Sequence, residues 1–191
     1  MKPLFALGAA AALAAQIAAG AAPAAEAQKS GDWLFNSSAF AQSGDKLLTA
    51  CTATTESANG TTLDIRLEPT ADGAVGALAR FTNEGWKIAP SPDLVRLDIG
   101  ARRWVLPASG AGTEVSVLLS GGPHLLAFLD EMSSGSDATL IARDGAEAAR
   151  FSLSGSRAAI DAMTSCIAEQ IGGTLAAVYA KEGPANPANP F

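Results

Sequence analysis

Serine, histidine and lysine side chains occur at two places in the sequence where a nucleophile could be activated. Ser120, His124 and Asp130 are the residue types of a catalytic triad, in which histidine is the general base for serine. Ser43 and Lys46 have the Ser-x-x-Lys spacing, in which lysine activates the hydroxyl. The sequence lacks the Gly-x-Ser-x-Gly turn, and also the Ser-Asp-Asn and Lys-Thr-Gly elements, that accompany such nucleophiles. We therefore predict no catalytic residue and keep a small periplasmic hydrolase with a serine nucleophile as the alternative.

Motifs for metal ions and nucleotides are also missing. The sequence has a single histidine, and no paired His/Cys spacing of a metal site occurs. Neither the glycine-rich phosphate loop nor the dinucleotide fingerprint is present. The acidic pair Asp130-Glu131 fits the solvated face of a short helix. We expect neither a metal ion nor a cofactor.

The sequence contains two cysteines, Cys51 and Cys166. In an exported chain the compartment oxidises thiols, so a pair of cysteines favours a disulfide. We predict a structural bridge between a strand and a late helix; two unpaired buried thiols are the alternative.

The N-terminus has the three parts of a secretory signal peptide. Met1, Lys2 and Pro3 precede an alanine-rich apolar run, and Ala25-Glu26-Ala27 has the small-x-small pattern of a cleavage site. We predict a signal peptide over 1–27, a single β-rich domain over 28–181 and a disordered Pro/Asn tail over 182–191. The expected location is the periplasm or the exterior, without stable membrane insertion after cleavage. An uncleaved anchor is disfavoured because alanine is only weakly apolar.

The net charge and the tryptophans limit which partners are expected. The formal net charge is −6, and dense Lys/Arg patches of the kind that nucleic acids select are absent, so nucleic acid is not expected as a partner. Exposed tryptophans beside cations can bind a partner, although tryptophans on strands are often core residues. We predict a possible binding surface for a protein or a cell-wall component, made of Trp86, Lys87, Arg102, Arg103 and Trp104.

Short alternating segments and hairpin dipeptides predict a mainly β fold. The dipeptides Asn59-Gly60, Asp72-Gly73 and Asp144-Gly145 separate some of roughly nine strand candidates. The pattern favours an antiparallel β-sandwich or barrel-like meander, with a C-terminal α-helix packed on it. Residues 36–44 and 107–112 are predicted loops, and the prolines of residues 90–92 are expected to stop a strand.

The stretch Phe151–Ile171 is typical of a strand, a tight corner and a helix. Gly155 supplies the freedom to turn, and the Ser156 hydroxyl is predicted to accept a hydrogen bond as the helix N-cap. Apolar residues then recur at helical spacing, so one face of this helix is predicted to be buried, with Cys166 beside it.

The sequence combines an exported precursor, an early Asp-Trp strand, a β meander and a late Phe-x-Leu-x-Gly-x-x-x-Ala segment. In this combination it resembles small periplasmic proteins of the invasion-associated locus B type. Here the segment consists of Phe151, Leu153, Gly155 and Ala159. The resemblance implies an envelope or host-interaction factor without a catalytic centre, and it carries over no functional residue. We predict an exported, non-catalytic envelope accessory or interaction module. The alternatives are the hydrolase above and an inhibitor of an exogenous hydrolase.

Overall fold

A computed structural model describes residues 27–43, 46–70, 73–119 and 121–180. The predicted signal peptide before Ala27 and the predicted tail lie outside the described residues, as does Ser120. The side chains of residues 41–47 also lie outside this description, so nothing is concluded about Ser43 and Lys46.

Over the described residues, ten strands form one antiparallel sheet, which confirms the predicted fold class. The strands are β1 (Gln28–Ser30), β2 (Trp33–Ser43), β3 (Lys46–Glu56), β4 (Thr62–Pro69), β5 (Val75–Thr82), β6 (Ile88–Ile99), β7 (Arg102–Gly112), β8 (Glu114–Leu119), β9 (Asp137–Ile141) and β10 (Glu147–Ser152). Their order across the sheet is β1-β2-β3-β4-β5-β8-β7-β6-β9-β10. Strands β6, β7 and β8 therefore lie in the sheet in the reverse of their chain order. As a result, β5 pairs with β8 and β6 pairs with β9.

Three helices are described, namely α1 (Pro123–Ser134), α2 (Ser156–Ile171) and α3 (Leu175–Ala180). Helix α2 packs on β2, β3 and β4 and against α1. Its predicted apolar face is buried, with Ile160, Met163 and Ile167 each at most 3% exposed. The predicted disulfide is confirmed, because Cys51 of β3 and Cys166 of α2 are joined with an S–S distance of 2.02 Å. None of these helices is long and apolar enough to cross a membrane.

The core lies on one face of the sheet, which curves until its two ends approach each other. In β4, Leu63, Ile65 and Leu67 are fully buried and alternate with partly exposed polar residues, as the two-residue period of a strand requires. Phe81 of β5 contacts Phe151 of β10, with ring centroids 6.0 Å apart. This contact across the core explains how one sheet forms a sandwich-like domain.

The two ends of the sheet meet at a seam where two glycines touch. The backbone N–H of Asp32 donates to the Ser154 carbonyl over 3.0 Å. Gly155 has a φ of 90°, and a Cβ on it would lie 1.9 Å from the carbonyl oxygen of Ser30. Only glycine fits this close backbone approach, because any Cβ would overlap the neighbouring chain.

Three of the predicted breaks in the strands are wrong. The residues predicted as the loop 36–44 continue β2 as far as Ser43, and those predicted as the loop 107–112 belong to β7. Strand β6 also continues through Pro90 and Pro92 while it pairs with β7. Within the described residues, this part of β6 has no strand partner on the side away from β7, and proline is tolerated in such an edge segment.

The predicted capping role of Ser156 is also wrong. Gly155 is the N-cap of α2, and no side chain caps this helix end. The buried Ser156 hydroxyl instead donates to the Met132 carbonyl over 2.7 Å. Since carbonyls in the last turn of a helix have no partner within the helix, this bond satisfies the end of α1 and ties it to α2.

Candidate binding cleft

The five residues of the predicted binding surface lie in two separate places. Trp86 and Lys87 directly precede β6, and Ile88 pairs with Gly112 at the far end of β7. Arg102, Arg103 and Trp104 lie at the start of β7. At about 3.3 Å per strand residue, Trp104 and Gly112 are roughly 25 Å apart. The structure therefore brings Trp86 together with Lys87, but not with the other three residues.

The side chains of Arg102, Arg103 and Trp104, at the start of β7, form contacts within the chain. The Trp104 indole N–H donates to Glu131 of α1 over 2.6 Å, and its ring meets Phe128 edge to face. Arg102 is also paired with Glu131 and lies over the Trp104 ring, 4.9 Å from its centroid. Arg103 forms an ion pair with Asp98. The contacts of Trp104 and Arg102 attach α1 to the sheet, and the Arg103–Asp98 pair joins β7 to β6, so this group has a structural role.

Trp86 and Lys87, by contrast, line an open cleft of about 440 Å³. The cleft lies where β6 and β9 diverge, since β9 pairs with β6 only over Arg96–Ile99. Its apolar surface is contributed by β6, β7, β8, β9 and β10. The lining residues are Gly85, Trp86, Lys87, Ile88, Ser91, Val95, Ala108, Gly110, Val115, Leu140, Ile141, Ala142, Arg143 and Ala148.

The depth of the cleft depends on Gly110 in β7. A Cβ on Gly110 would lie 2.8 Å from Cγ2 of Ile88. The missing side chain lets Ile88 pack against the β7 backbone, and the half-buried Ala108 keeps the neighbouring position small. Leu140 of β9 is 4% exposed and anchors this surface in the core.

A hydrogen-bond network joins the two walls of the cleft. In the turn before Trp86, the Asn83 side chain accepts from the Gly85 backbone over 2.8 Å and donates to Thr61 over 2.9 Å. The Thr61 hydroxyl donates to the Asn59 side chain over 2.9 Å. Asn59 in turn donates to the backbone carbonyl of Ala148 in the opposite wall over 2.8 Å. The β3–β4 turn thus holds the walls in position.

The charged residues in the lining are Lys87 and Arg143, both of them exposed cations at the mouth. Hydrophobic walls with a few polar groups are typical of small-molecule sites, which enclose about 300–1,000 Å³. The cleft can therefore bind an apolar group.

A second, polar recess lies at the seam, lined in part by Asp32, Asp137 and Arg150. Arg150 forms ion pairs with Glu147 over 2.6 Å and with Asp137 over 3.1 Å. The hydrogen bond to Glu147 and the charge of that carboxylate raise the pKa of Arg150, with a smaller contribution from Asp137. The pair with Asp137 joins β10 to β9, whereas the pair with Glu147 lies within β10.

The residues considered for catalysis are not assembled by the described part of the chain. His124 is exposed at the start of α1, and Asp130 is exposed further along the same helix. Six helical positions correspond to about 9 Å along the axis and about 120° around it, so the two side chains lie on different faces. Within the described residues, no group of three or more His, Cys, Asp or Glu side chains could hold a metal ion.

Most of the cleft residues escaped the sequence analysis. Ile88, Val115, Leu140 and Ala148 are small or apolar residues on strands, and their sequence pattern is that of ordinary core positions. They become a surface only because β6 and β9 diverge, which depends on pairing between distant segments. The tryptophan beside a lysine was the one local signal that led to this site.

No family model, curated protein or solved structure matches the chain significantly. The residues on which the locus B resemblance depends all have roles in the fold. Phe151, Leu153 and Ala159 are buried, and Gly155 makes the close approach at the seam.

Proposed function

We propose that this protein is an exported, non-catalytic binding module of the cell envelope, and that its partner binds in the cleft between β6 and the β9–β10 hairpin. The observation that carries the proposal is the cleft itself, an open apolar surface of about 440 Å³ whose walls are tied together. The partner is an envelope component, either a protein or a cell-wall constituent, that presents an apolar group.

Export is supported by the signal-peptide pattern of residues 1–27 and by the Cys51–Cys166 disulfide, which is compatible with an oxidising compartment. The resemblance to the locus B proteins favours the same compartment and a role in binding.

A photo-crosslinking amino acid at the rim of the cleft tests the proposal in living cells. Ala142 is suitable because it is exposed in the β9–β10 turn and lines the cleft. Ala101 is a matched control, since it is exposed in the β6–β7 turn at the other end of β6. We expect an adduct of defined mass from position 142 and none of that mass from position 101.

The adduct must also depend on the interior of the cleft. Ala148→Leu adds apolar bulk to one wall and is expected to abolish the adduct from position 142. A thermal unfolding curve checks that this variant is folded. Identical adducts from positions 142 and 101, no adduct from either, or an adduct unaffected by Ala148→Leu would contradict the proposal.

A further inference from the structure

The sequence contains a proline repeat that neither the fold nor the proposed function uses. In this repeat, residues 184–190, prolines occupy every third position and are separated by Ala-Asn. A polyproline II helix has three residues per turn, so this spacing places Pro184, Pro187 and Pro190 along one face of such a helix. No other prolines of the sequence are three positions apart, and the repeat carries no charged side chain. The repeat therefore has the form of a ligand for an aromatic groove.

Trp86 gives the cleft the features that such a ligand needs. Its half-buried side chain packs against the core and lines the cleft, together with the small residues Ala108 and Gly110. The indole N–H groups of Trp33 and Trp104 donate within the fold, to a backbone carbonyl and to a carboxylate. Among the described residues, by contrast, none accepts a hydrogen bond from the Trp86 indole. Because a polyproline II helix has no internal hydrogen bonds, its carbonyls are free to accept this bond.

The chain beyond α3 is long enough to bring the repeat to the cleft. Helix α3 lies at one end of β5, where the Tyr179 hydroxyl donates to the Val75 carbonyl over 3.3 Å. Six positions further along β5, Phe81 pairs with Val115 of the cleft lining, roughly 20 Å away at the rise of a strand. As a polyproline II helix, residues 181–190 would extend about 31 Å. The repeat can therefore reach the cleft of its own chain.

We infer that the proline repeat binds in the cleft of the same chain, with its prolines against Trp86 and one of its carbonyls at the indole N–H. The repeat then occupies the partner's site until the partner displaces it. This inference rests on the proposed function, because it concerns the regulation of the same site. A segment joined by a short linker has an effective concentration on the order of 1 mM, so even a weak contact of this kind is populated.

NMR of the tryptophan indoles in the purified chain of residues 28–191 tests the contact. The triple variant Pro184→Ala/Pro187→Ala/Pro190→Ala removes the proline rings without changing the length of the chain. It should shift the indole N–H signal of Trp86. The signals of the other two tryptophans should stay in place, because their indoles are bonded within the fold. A Trp86 signal at the same position in the wild type and the triple variant would overturn the inference.

A double variant on another face of the repeat is the matched control. Asn186 and Asn189 are also three positions apart, so Asn186→Ala/Asn189→Ala changes the repeat without touching its prolines. It should leave the Trp86 signal at its wild-type position, and an equal shift in both variants would contradict the proline contact. Dilution of the wild type should not move the signal either. A signal that moves on dilution toward that of the triple variant would mean that a second copy supplies the repeat, which overturns binding within one chain.

Crosslinking of the purified protein locates the repeat. Trypsin cleaves after Lys181, so residues 182–191 are released as one fragment. The photo-crosslinking amino acid at position 142 should capture this fragment, and the same amino acid at position 101 should not. The triple variant should lose the capture at position 142. Capture from both positions, or from neither, would overturn the inference.

The two proposals fail in different ways. In cells, the triple variant should give more of the partner adduct from position 142, because the repeat no longer competes; an unchanged yield would show that the repeat does not regulate the site. If the repeat makes no contact in the purified protein but cells give a cleft-dependent adduct, the inference is wrong and the binding module stands. If the repeat is captured but cells give no adduct, the cleft serves only its own chain and the binding module is wrong.

Discussion

Asn59 connects the two walls of the cleft through one side chain. Its amide nitrogen donates to Ala148 in β10, and its oxygen accepts from the hydroxyls of Ser57 and Thr61. Thr61 accepts in turn from Asn83, which lies in the turn before Trp86. The sequence could predict the hairpin turn at Asn59-Gly60, because this dipeptide suits a tight turn. It could not predict the bond to Ala148, since that depends on how far the sheet curves.

Asn59→Ala should loosen the cleft without unfolding the domain. The substitution removes the donor to Ala148 and leaves Ser57 and Thr61 without this acceptor. Such losses cost about 1–2 kcal/mol in total at this partly solvated position. Because 1.4 kcal/mol corresponds to a factor of ten, the Thr61 and Trp86 amides should exchange with solvent about tenfold faster. Exchange measured by NMR should be unchanged at Ile167 in α2. Unaltered exchange at Thr61 and Trp86 would contradict the bracing role.

At the scale of elements, the seam between the β1–β2 turn and the β10–α2 corner depends on backbone contact. Gly155 and Gly145 have nearly the same φ values, 90° and 88°. Their surroundings differ, because a Cβ on Gly155 would overlap Ser30 whereas one on Gly145 would meet nothing within 4 Å. Substitutions at the two glycines therefore separate two contributions to the free energy of unfolding, that of the positive φ and that of the close backbone approach.

Gly155→Ala should destabilise the protein by at least about 3 kcal/mol, because backbone atoms at the seam cannot move aside as a flexible side chain can. Gly145→Ala should lose only about 1–2 kcal/mol, the cost of a positive φ for a residue with a Cβ. Chemical denaturation gives both values. If Gly155→Ala gives no folded protein, Gly31→Ala probes the same seam, where its Cβ would lie 2.4 Å from the Ser154 carbonyl oxygen. Equal losses at Gly155 and Gly145 would show that the close approach is unimportant.

The elements that sequence could predict are those whose pattern is local. Apolar residues alternate with polar ones in β4 and recur at helical spacing in α2, because each element buries one face. Such a pattern can be read directly from the order of residues in the segment. The prediction that β6 ends at its prolines was wrong, because within the described residues the first part of β6 pairs with β7 alone and tolerates proline as an edge segment does. Residues 36–43 of the predicted loop belong to β2 because pairing with β3 outweighs a weak local preference.

For the whole molecule, the curvature of a single sheet produces both the core and the cleft. Ten strands in sequence would suggest a simple meander, but the reversed order of β6, β7 and β8 places β9 beside β6. The sheet closes its core where Phe81 meets Phe151. It stays open beside the first part of β6, because β9 pairs with β6 over Arg96–Ile99. A local pattern cannot predict such an opening, because it depends on strand order and on unequal strand lengths.

The disulfide should stabilise this architecture mainly through the unfolded chain. Cys51 and Cys166 are separated by 115 positions, and restricting a loop of that length is worth up to about 4–5 kcal/mol. The variant Cys51→Ala/Cys166→Ala should lose most of this free energy yet remain folded, since Ile160, Met163 and Ile167 still bury α2 against the sheet. Denaturation followed with and without dithiothreitol checks this expectation. The reductant should lower the midpoint of the wild type to that of the variant and leave the variant unchanged. A wild-type midpoint that does not respond, although intact mass shows complete reduction, would mean that the helix–sheet interface alone holds the domain together.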